Sequence, residues 1–104
     1  MTRKGYVGEY RIKNLLAQQY PEADIVKVAI SQQGADFIVI EKGRLVKVVE
    51  VKETTAKKYY PHPKEKEQFE RIKKFARRHG IPAELVVVYR RGRGRRVEVD
   101  VRSM

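Results

Sequence analysis

The most restrictive stretch of this chain is Leu45-Val46-Lys47-Val48-Val49-Glu50-Val51-Lys52, where valines fall at neighbouring as well as alternate positions. A strand made from it is apolar on both faces, as in a strand covered on both sides, and it is predicted to be the central strand of a sheet. Everything else in the chain has to be arranged so that both faces are covered.

The flanking segments supply the cover. From Gly5 to Tyr20, Ile12, Leu15 and Leu16 share one helical face and Pro21 closes the run, which predicts an amphipathic helix. Asp24 to Ile30 and Ala35 to Ile40 read as strands separated by the turn-prone Ser31-Gln32-Gln33-Gly34, and Glu41-Lys42-Gly43-Arg44 connects a hairpin into the central strand. Ala56 to Pro63, with two prolines and paired tyrosines, is predicted to be a surface loop. Lys64 to His79 carries Phe69, Ile72, Phe75 and Ala76 at helical spacing, with Gly80 as the left-handed cap and Pro82 just beyond. Glu84 to Tyr89 is a buried strand, and Val97 to Val101 alternates valine with charge as an edge strand does. The predicted fold is therefore α/β: one domain over residues 1–104, a central mixed five-stranded sheet flanked by helices in the order αβββαββ. The second helix carries a right-handed crossover from the third strand to the fourth.

A length of 104 residues suits one such domain. Lys plus Arg number 24 against 13 Asp plus Glu, a net charge of +11, which draws polyanions through steering and counterion release and makes nucleic acid the leading partner. A membrane surface would attract the same charge. With no cysteine, disulfides, thiolate zinc sites and a cysteine nucleophile are excluded. No apolar run approaches the roughly 20 residues of a membrane span, and Met1-Thr2-Arg3-Lys4-Gly5 leads into a polar helical pattern rather than a secretory signal. These features predict an intracellular protein, cytoplasmic and associated with the nucleoid. Abundant lysine and arginine without cysteine or tryptophan is also a thermophile trend.

Conventional hydrolytic chemistry finds no support. His62 lies in a proline-rich loop and His79 at a helix end, which makes a poor metal site, and Gly80, Gly92 and Gly94 form no phosphate loop ahead of a helix. What stands out is acid inside apolar strand sequence. Asp36 begins one strand, and Glu50 interrupts the valines of the next with Lys52 two residues on, hence on the same face. If the hairpin turns at Lys42-Gly43, Asp36 lies opposite Val49 or Glu50, within reach of one shared cation. Crowded carboxylates repel, and Mg²⁺ or Mn²⁺ relieves the repulsion. Glu9 falls on the inward side of the first helix between the bare backbone of Gly5 and Gly8, which would bring it towards Asp36 and Glu50. The plainer readings are a dipole-favoured acid for Glu9, a turn residue for Asp36 and an exposed ion pair for Glu50 with Lys52.

Asp36 followed by Glu50-Val51-Lys52, with Glu9 on a preceding helix, resembles the metal-dependent PD-(D/E)XK nuclease motif. The likeness is closer still to archaeal Holliday junction resolvases. Arg3-Lys4-Gly5 with Glu9 resembles that family's N-terminal signature, and Ser31 resembles its catalytic-loop serine. The stretch from Ile72 to Pro82 resembles its second helix and the entry to the next strand. The likeness runs from Arg3 to about Tyr89. Two departures are the strongly basic turn Arg90 to Arg96, leading to a C-terminal strand without aromatic residues, and Gln68 followed four residues later by Ile72, where RecB-type nucleases have tyrosine.

The resemblance implies a restriction-endonuclease-like nuclease domain. In it Asp36, Glu50, the Val51 carbonyl and Glu9 bind Mg²⁺, with Mn²⁺ as a substitute, Lys52 positions or activates the attacking water, and Ser31 contacts the scissile phosphate or orients a loop. DNA binding would fall to Arg3, Lys4, Lys57, Lys58, Lys64, Arg90, Arg91, Arg93 and Arg95, which give charge without base-reading geometry. Tyr59 and Tyr60 either stack at the junction centre or anchor the loop in the core. Lys66, Arg71, Lys73, Lys74, Arg77 and Arg78 read as a solvated helix face. A four-way junction has two-fold symmetry, so paired nicks imply a homodimer acting on branched DNA, with no membrane or small-molecule substrate. Expected is an endodeoxyribonuclease that resolves Holliday junctions in recombination and repair. The alternatives are a nicking or restriction-type nuclease on other DNA, separated by a panel of branched and linear substrates, and a non-catalytic nucleic-acid-binding module, indifferent to chelator and to Glu50→Gln.

Overall fold

A computed structural model of the protein describes residues 6–30, 35–91 and 96–104. Its elements run α1 (Tyr6–Gln19), β1 (Asp24–Val28), β2 (Ala35–Glu41), β3 (Arg44–Thr54), α2 (Pro63–His79), β4 (Ala83–Arg91) and β5 (Arg96–Ser103). The five strands form one sheet in the order β1-β2-β3-β4-β5, so the valine-rich strand is its middle member. Pairing is antiparallel except between β3 and β4, which are parallel and joined through α2. A radius of gyration of 13.5 Å matches the roughly 13 Å of a single folded body of this length.

The α1 layer buries Ile12 and Leu16 against Phe37, Val39, Val49, Val51, Val86 and Val88. On the other face, α2 brings Phe69 onto Leu85, Val87 and Tyr89, and Ile72 and Ala76 onto Val48 and Ala83. Both faces of β3 are thus closed, as its double-sided apolarity requires. Each such side chain contributes on the order of 2 kcal/mol on leaving water.

Local chemistry sets the ends of the elements. His62 caps α2, its Nδ1 accepting from the Lys64 N–H, and Glu65 returns the bond by accepting from the His62 N–H at 3.0 Å. Pro63 fits the first turn, where its fixed φ suits the helix and no N–H is needed, so the helix starts one residue before Lys64. Gly80 ends it in the left-handed conformation, φ 63°. The β2–β3 connection is a two-residue turn with Lys42 at φ 52° and Gly43 at φ 76°, both positive as its twist demands. β1 is shorter than the predicted Asp24 to Ile30, because its ladder with β2 ends at Val28↔Asp36. β3 instead extends to Thr54, since Glu53 and Thr54 find partners in Val88 and Tyr89. Among the described residues no helix is long and apolar enough to cross a membrane.

Candidate active site

One irregularity of backbone builds the centre of the α2 face. At the turn, Glu41 faces Arg44 and Ile40 faces Leu45, but from Val39↔Lys47 onward the register is shifted by one, leaving Val46 as an extra residue. Without that bulge Asp36 would stand opposite Val49, and Glu50 would be on the other side of the sheet. With it, Asp36 pairs directly with Glu50. Val28, Asp36, Glu50, Leu85 and Arg102 then make one row across all five strands.

Asp36 and Glu50 are both completely buried. Side chains directly opposite in an antiparallel pair have Cβ atoms about 5 Å apart, so two ionised carboxylates here, both shielded from bulk solvent, repel at short range. Neither oxygen of Glu50 accepts a hydrogen bond among the described residues. Its nearest compensation is the Lys52 ammonium, 3.3 Å from Oε1 in an ion pair that lacks hydrogen-bond geometry.

Lys52 is held by α2. Its Nζ donates to Gln68 Oε1 at 2.8 Å, lies 3.4 Å from Glu65 Oε2 and stands 5.9 Å from the Phe69 ring centroid. Glu65 is fixed in turn by the His62 N–H and by the Tyr59 hydroxyl, which donates at 2.8 Å. The capping box of α2 and the ammonium of Lys52 therefore share one carboxylate. Burial works against ionisation of Glu65, but the bonds from His62 and Tyr59 and the charge of Lys52 outweigh it and hold this carboxyl below the ordinary range. A lowered pKa means that the ionised form stabilises the fold at neutral pH, and that this contribution is lost as pH falls below about 4.5. Glu65→Gln is expected to cost about 1 to 2 kcal/mol at pH 7. Thermal melts should show that deficit at pH 7 and its narrowing by pH 3.

The donor set suits a hard dication. Asp36 and Glu50 offer oxygen only, both are buried, and the uncommitted oxygens of Glu50 are the kind of group that Mg²⁺ or Mn²⁺ satisfies. Among the described residues no group of three or more His, Cys, Asp or Glu side chains converges.

The remaining candidates fall in different places. Glu9 is on α1, paired with Lys27 beside Phe37, and Phe37 belongs to the α1 layer, so the sheet separates Glu9 from Asp36 and Glu50. The reason is the seating of α1: Gly8 is buried so close to β3 and β4 that an added Cβ would come within 2.9 Å of Glu53 Oε2 and 3.6 Å of Val88 Cβ. Val51 lies between Ala35 and Val86 in the ladders, with its side chain in the α1 layer. Lys57, Lys58 and Lys64 are exposed, and the first two follow β3 at the end that carries Lys52. Tyr59 is buried beneath α2, whereas Tyr60 is 76% exposed. Arg90 pairs with Glu53, and Arg91 ties the loop down by donating to the carbonyls of Ala56 and Lys57, both at 2.8 Å. Arg3, Lys4, Ser31, Arg93 and Arg95 lie outside the described residues.

Sequence reasoning missed Glu65 and Gln68 as neighbours of Lys52. The signal was present: Glu65, Gln68, Phe69 and Ile72 follow the i, i+3, i+4, i+7 pattern, so the apolar stripe of α2 continues into two polar residues pointing the same way. No family model, curated protein or solved structure matches this chain.

Proposed function

We propose that this chain is a metal-dependent endodeoxyribonuclease of restriction-endonuclease-like architecture. It acts on four-way DNA junctions by paired symmetric nicks, in homologous recombination and repair. The observation that carries the reading is the completely buried Asp36–Glu50 pair, facing across the β2–β3 ladder with Lys52 tethered beside it. For stability alone the arrangement is unfavourable, since buried charges of like sign cost free energy that valines at the same positions would not.

Bound Mg²⁺ or Mn²⁺ would lower the pKa of a water and neutralise charge on a phosphodiester. The chain's own groups do the rest. Asp36 and Glu50 supply the carboxylate oxygens, and Lys52 stabilises the negative charge that develops on the phosphate during in-line hydrolysis. Glu65 and Gln68 hold the ammonium in place. Lys57, Lys58 and Lys64 supply phosphate contacts, and the charge of +11 favours recognition of backbone and shape over sequence.

The test is cleavage of labelled four-way junction, nicked duplex, linear duplex and single strand, each with Mg²⁺ and with chelator. Paired nicks on the junction alone, dependent on metal, are the expected result. Metal-dependent cutting of linear DNA would reassign the substrate, and binding without cutting would leave a non-catalytic module.

A further inference from the structure

The carboxylate of Glu65 divides its work between two oxygens. Oε1 accepts from the His62 N–H and closes the cap of α2, whereas Oε2 accepts from the Tyr59 hydroxyl at 2.8 Å and stands 3.4 Å from the Lys52 ammonium. The oxygen that meets the ammonium is therefore the one held by a tyrosine from outside the helix. Packing alone does not call for that hydroxyl. Tyr59 is buried against Phe69, Leu85, Val87 and Tyr89, surroundings that a phenylalanine would fill as well. Burial, and the Glu65 carboxylate beside it, push the Tyr59 phenol above its ordinary range, so it remains a proton donor at and well above neutral pH.

Tyr59 is itself held from β4 and β5, strands that carry none of Asp36, Glu50 and Lys52. Its backbone N–H donates to the Tyr89 hydroxyl at 3.1 Å, and the same hydroxyl accepts from Arg102 Nη2 at 3.0 Å. The Arg102 guanidinium also stands 5.9 Å from the centre of the Tyr59 ring, and its Nε donates to Asp100 at 2.7 Å. Just upstream, Arg91 holds the carbonyls of Ala56 and Lys57. The segment 56–59 is thus tied down at both ends, while Lys57, Lys58 and Tyr60 are exposed.

We propose that Tyr59 is a positioning residue for Lys52: its hydroxyl aims Glu65 Oε2 at the ammonium, and Tyr89 and Arg102 set where that hydroxyl stands. The contacts run without a gap from β5 to the site, through Arg102, Tyr89, Tyr59, Glu65 and Lys52. Lys57 and Lys58 lie on the same tied segment, so their spacing to Lys52 is set by this chain of contacts and not by a free loop. A DNA strand held by those two lysines then meets an ammonium already in place against its phosphate. The effect on rate deepens the nuclease reading and rests on it, whereas the placing of Lys52 does not.

Tyr59→Phe keeps the ring and removes the hydroxyl. Acylation of lysines in the full chain, read by mass spectrometry, reports where Lys52 stands, with exposed Lys57 and Lys58 as internal references. The Lys52 side chain is 13% exposed and is expected to react slowly in the wild type. Tyr59→Phe is expected to raise that reactivity several-fold. On four-way junction with Mg²⁺ it is expected to lower kcat by about 10- to 100-fold, the scale of a small misplacement of a reacting group, with KM unchanged. Tyr89→Phe, which takes away the acceptor of the Tyr59 N–H, is expected to act in the same direction. Ile72→Val, a core change in α2 apart from this chain of contacts, controls for lost stability and is expected to lower Tm while moving neither Lys52 reactivity nor kcat. Unchanged Lys52 reactivity in Tyr59→Phe, an equal rise in Ile72→Val, an unchanged kcat in a protein that cuts junctions, or a loss confined to KM would each overturn the proposal. A wild type that cuts no DNA would end the nuclease reading, and Lys52 reactivity alone would then decide whether Tyr59 positions it.

Discussion

Replacing Glu50 by glutamine is expected to abolish cleavage and, at the same time, to make the protein more stable. The substitution keeps the shape of a completely buried side chain and removes its charge. Among the described residues neither Glu50 oxygen accepts a hydrogen bond, Asp36 faces it, and the Lys52 ammonium lies 3.3 Å away. Desolvating a carboxylate costs several kcal/mol, more than one ion pair without hydrogen-bond geometry returns. Lys52 keeps Gln68 and Glu65 when Glu50 is neutralised. The net gain in chelator should be about 1 to 3 kcal/mol, which for a domain of this size raises Tm by roughly 4 to 8 °C per kcal/mol. Under the proposed function, loss of a carboxylate that would hold the metal should lower the cleavage rate by about 100- to 1,000-fold, the scale of single electrostatic groups at active sites. Junction binding should persist, because the basic surface is untouched. Asp36→Asn should behave alike. A Glu50→Gln protein that melts lower and no longer binds junction would show that Glu50 is a structural ion-pair member and would remove it from the site.

Lys52→Met carries the opposite sign in stability and the same sign in activity. Methionine occupies a similar volume without charge, so Glu50 and Glu65 both lose their cation and Gln68 Oε1 loses its donor. Breaking a buried pair by removing one partner costs about 3 to 5 kcal/mol, because the other charge stays behind uncompensated. A fall of more than 10 °C in Tm is expected. Adding Glu50→Gln to Lys52→Met should restore part of that loss, and the interaction energy from the double-mutant cycle should be on the order of 1 to 3 kcal/mol. Additive effects would mean that Lys52 serves α2 alone, through Glu65 and Gln68, and is not coupled to the acid pair.

Much of the architecture was legible because each element carries its own signal. The double-sided valines of β3, the capped and amphipathic α2 and the alternating β5 each depend on local chemistry, and the order of elements leaves little choice of topology. Boundaries moved where partners decided them, as with Glu53 and Thr54 at the end of β3. At the site, the face shared by Glu50 and Lys52 follows from the period of a strand, while the choice between Val49 and Glu50 opposite Asp36 does not, because it depends on a bulge. Glu9 was misleading in position, since helical periodicity says which way a residue faces and not which side of the sheet its helix will cover. Tyr59 and Tyr60 are adjacent and chemically identical, yet one is buried under α2 and the other lies in solvent. Only tertiary packing separates them.

The bulge at Val46 also makes this site a matter of parity. In a hairpin closed by a two-residue turn, residues that face each other are always separated by an odd number of positions, as Glu41 and Arg44 are. Asp36 and Glu50 are separated by an even number, so they can face each other only because one residue is absorbed between them. The acid pair is thus encoded partly in a count of residues and not only in their identities. Chains that build the same centre can vary the hairpin freely in steps of two, whereas a single-residue insertion or deletion must be matched by losing the bulge or adding a second one. A search pattern for this constellation should therefore leave the length of the acid-to-acid spacing open and read its parity as the sign of whether a bulge is present.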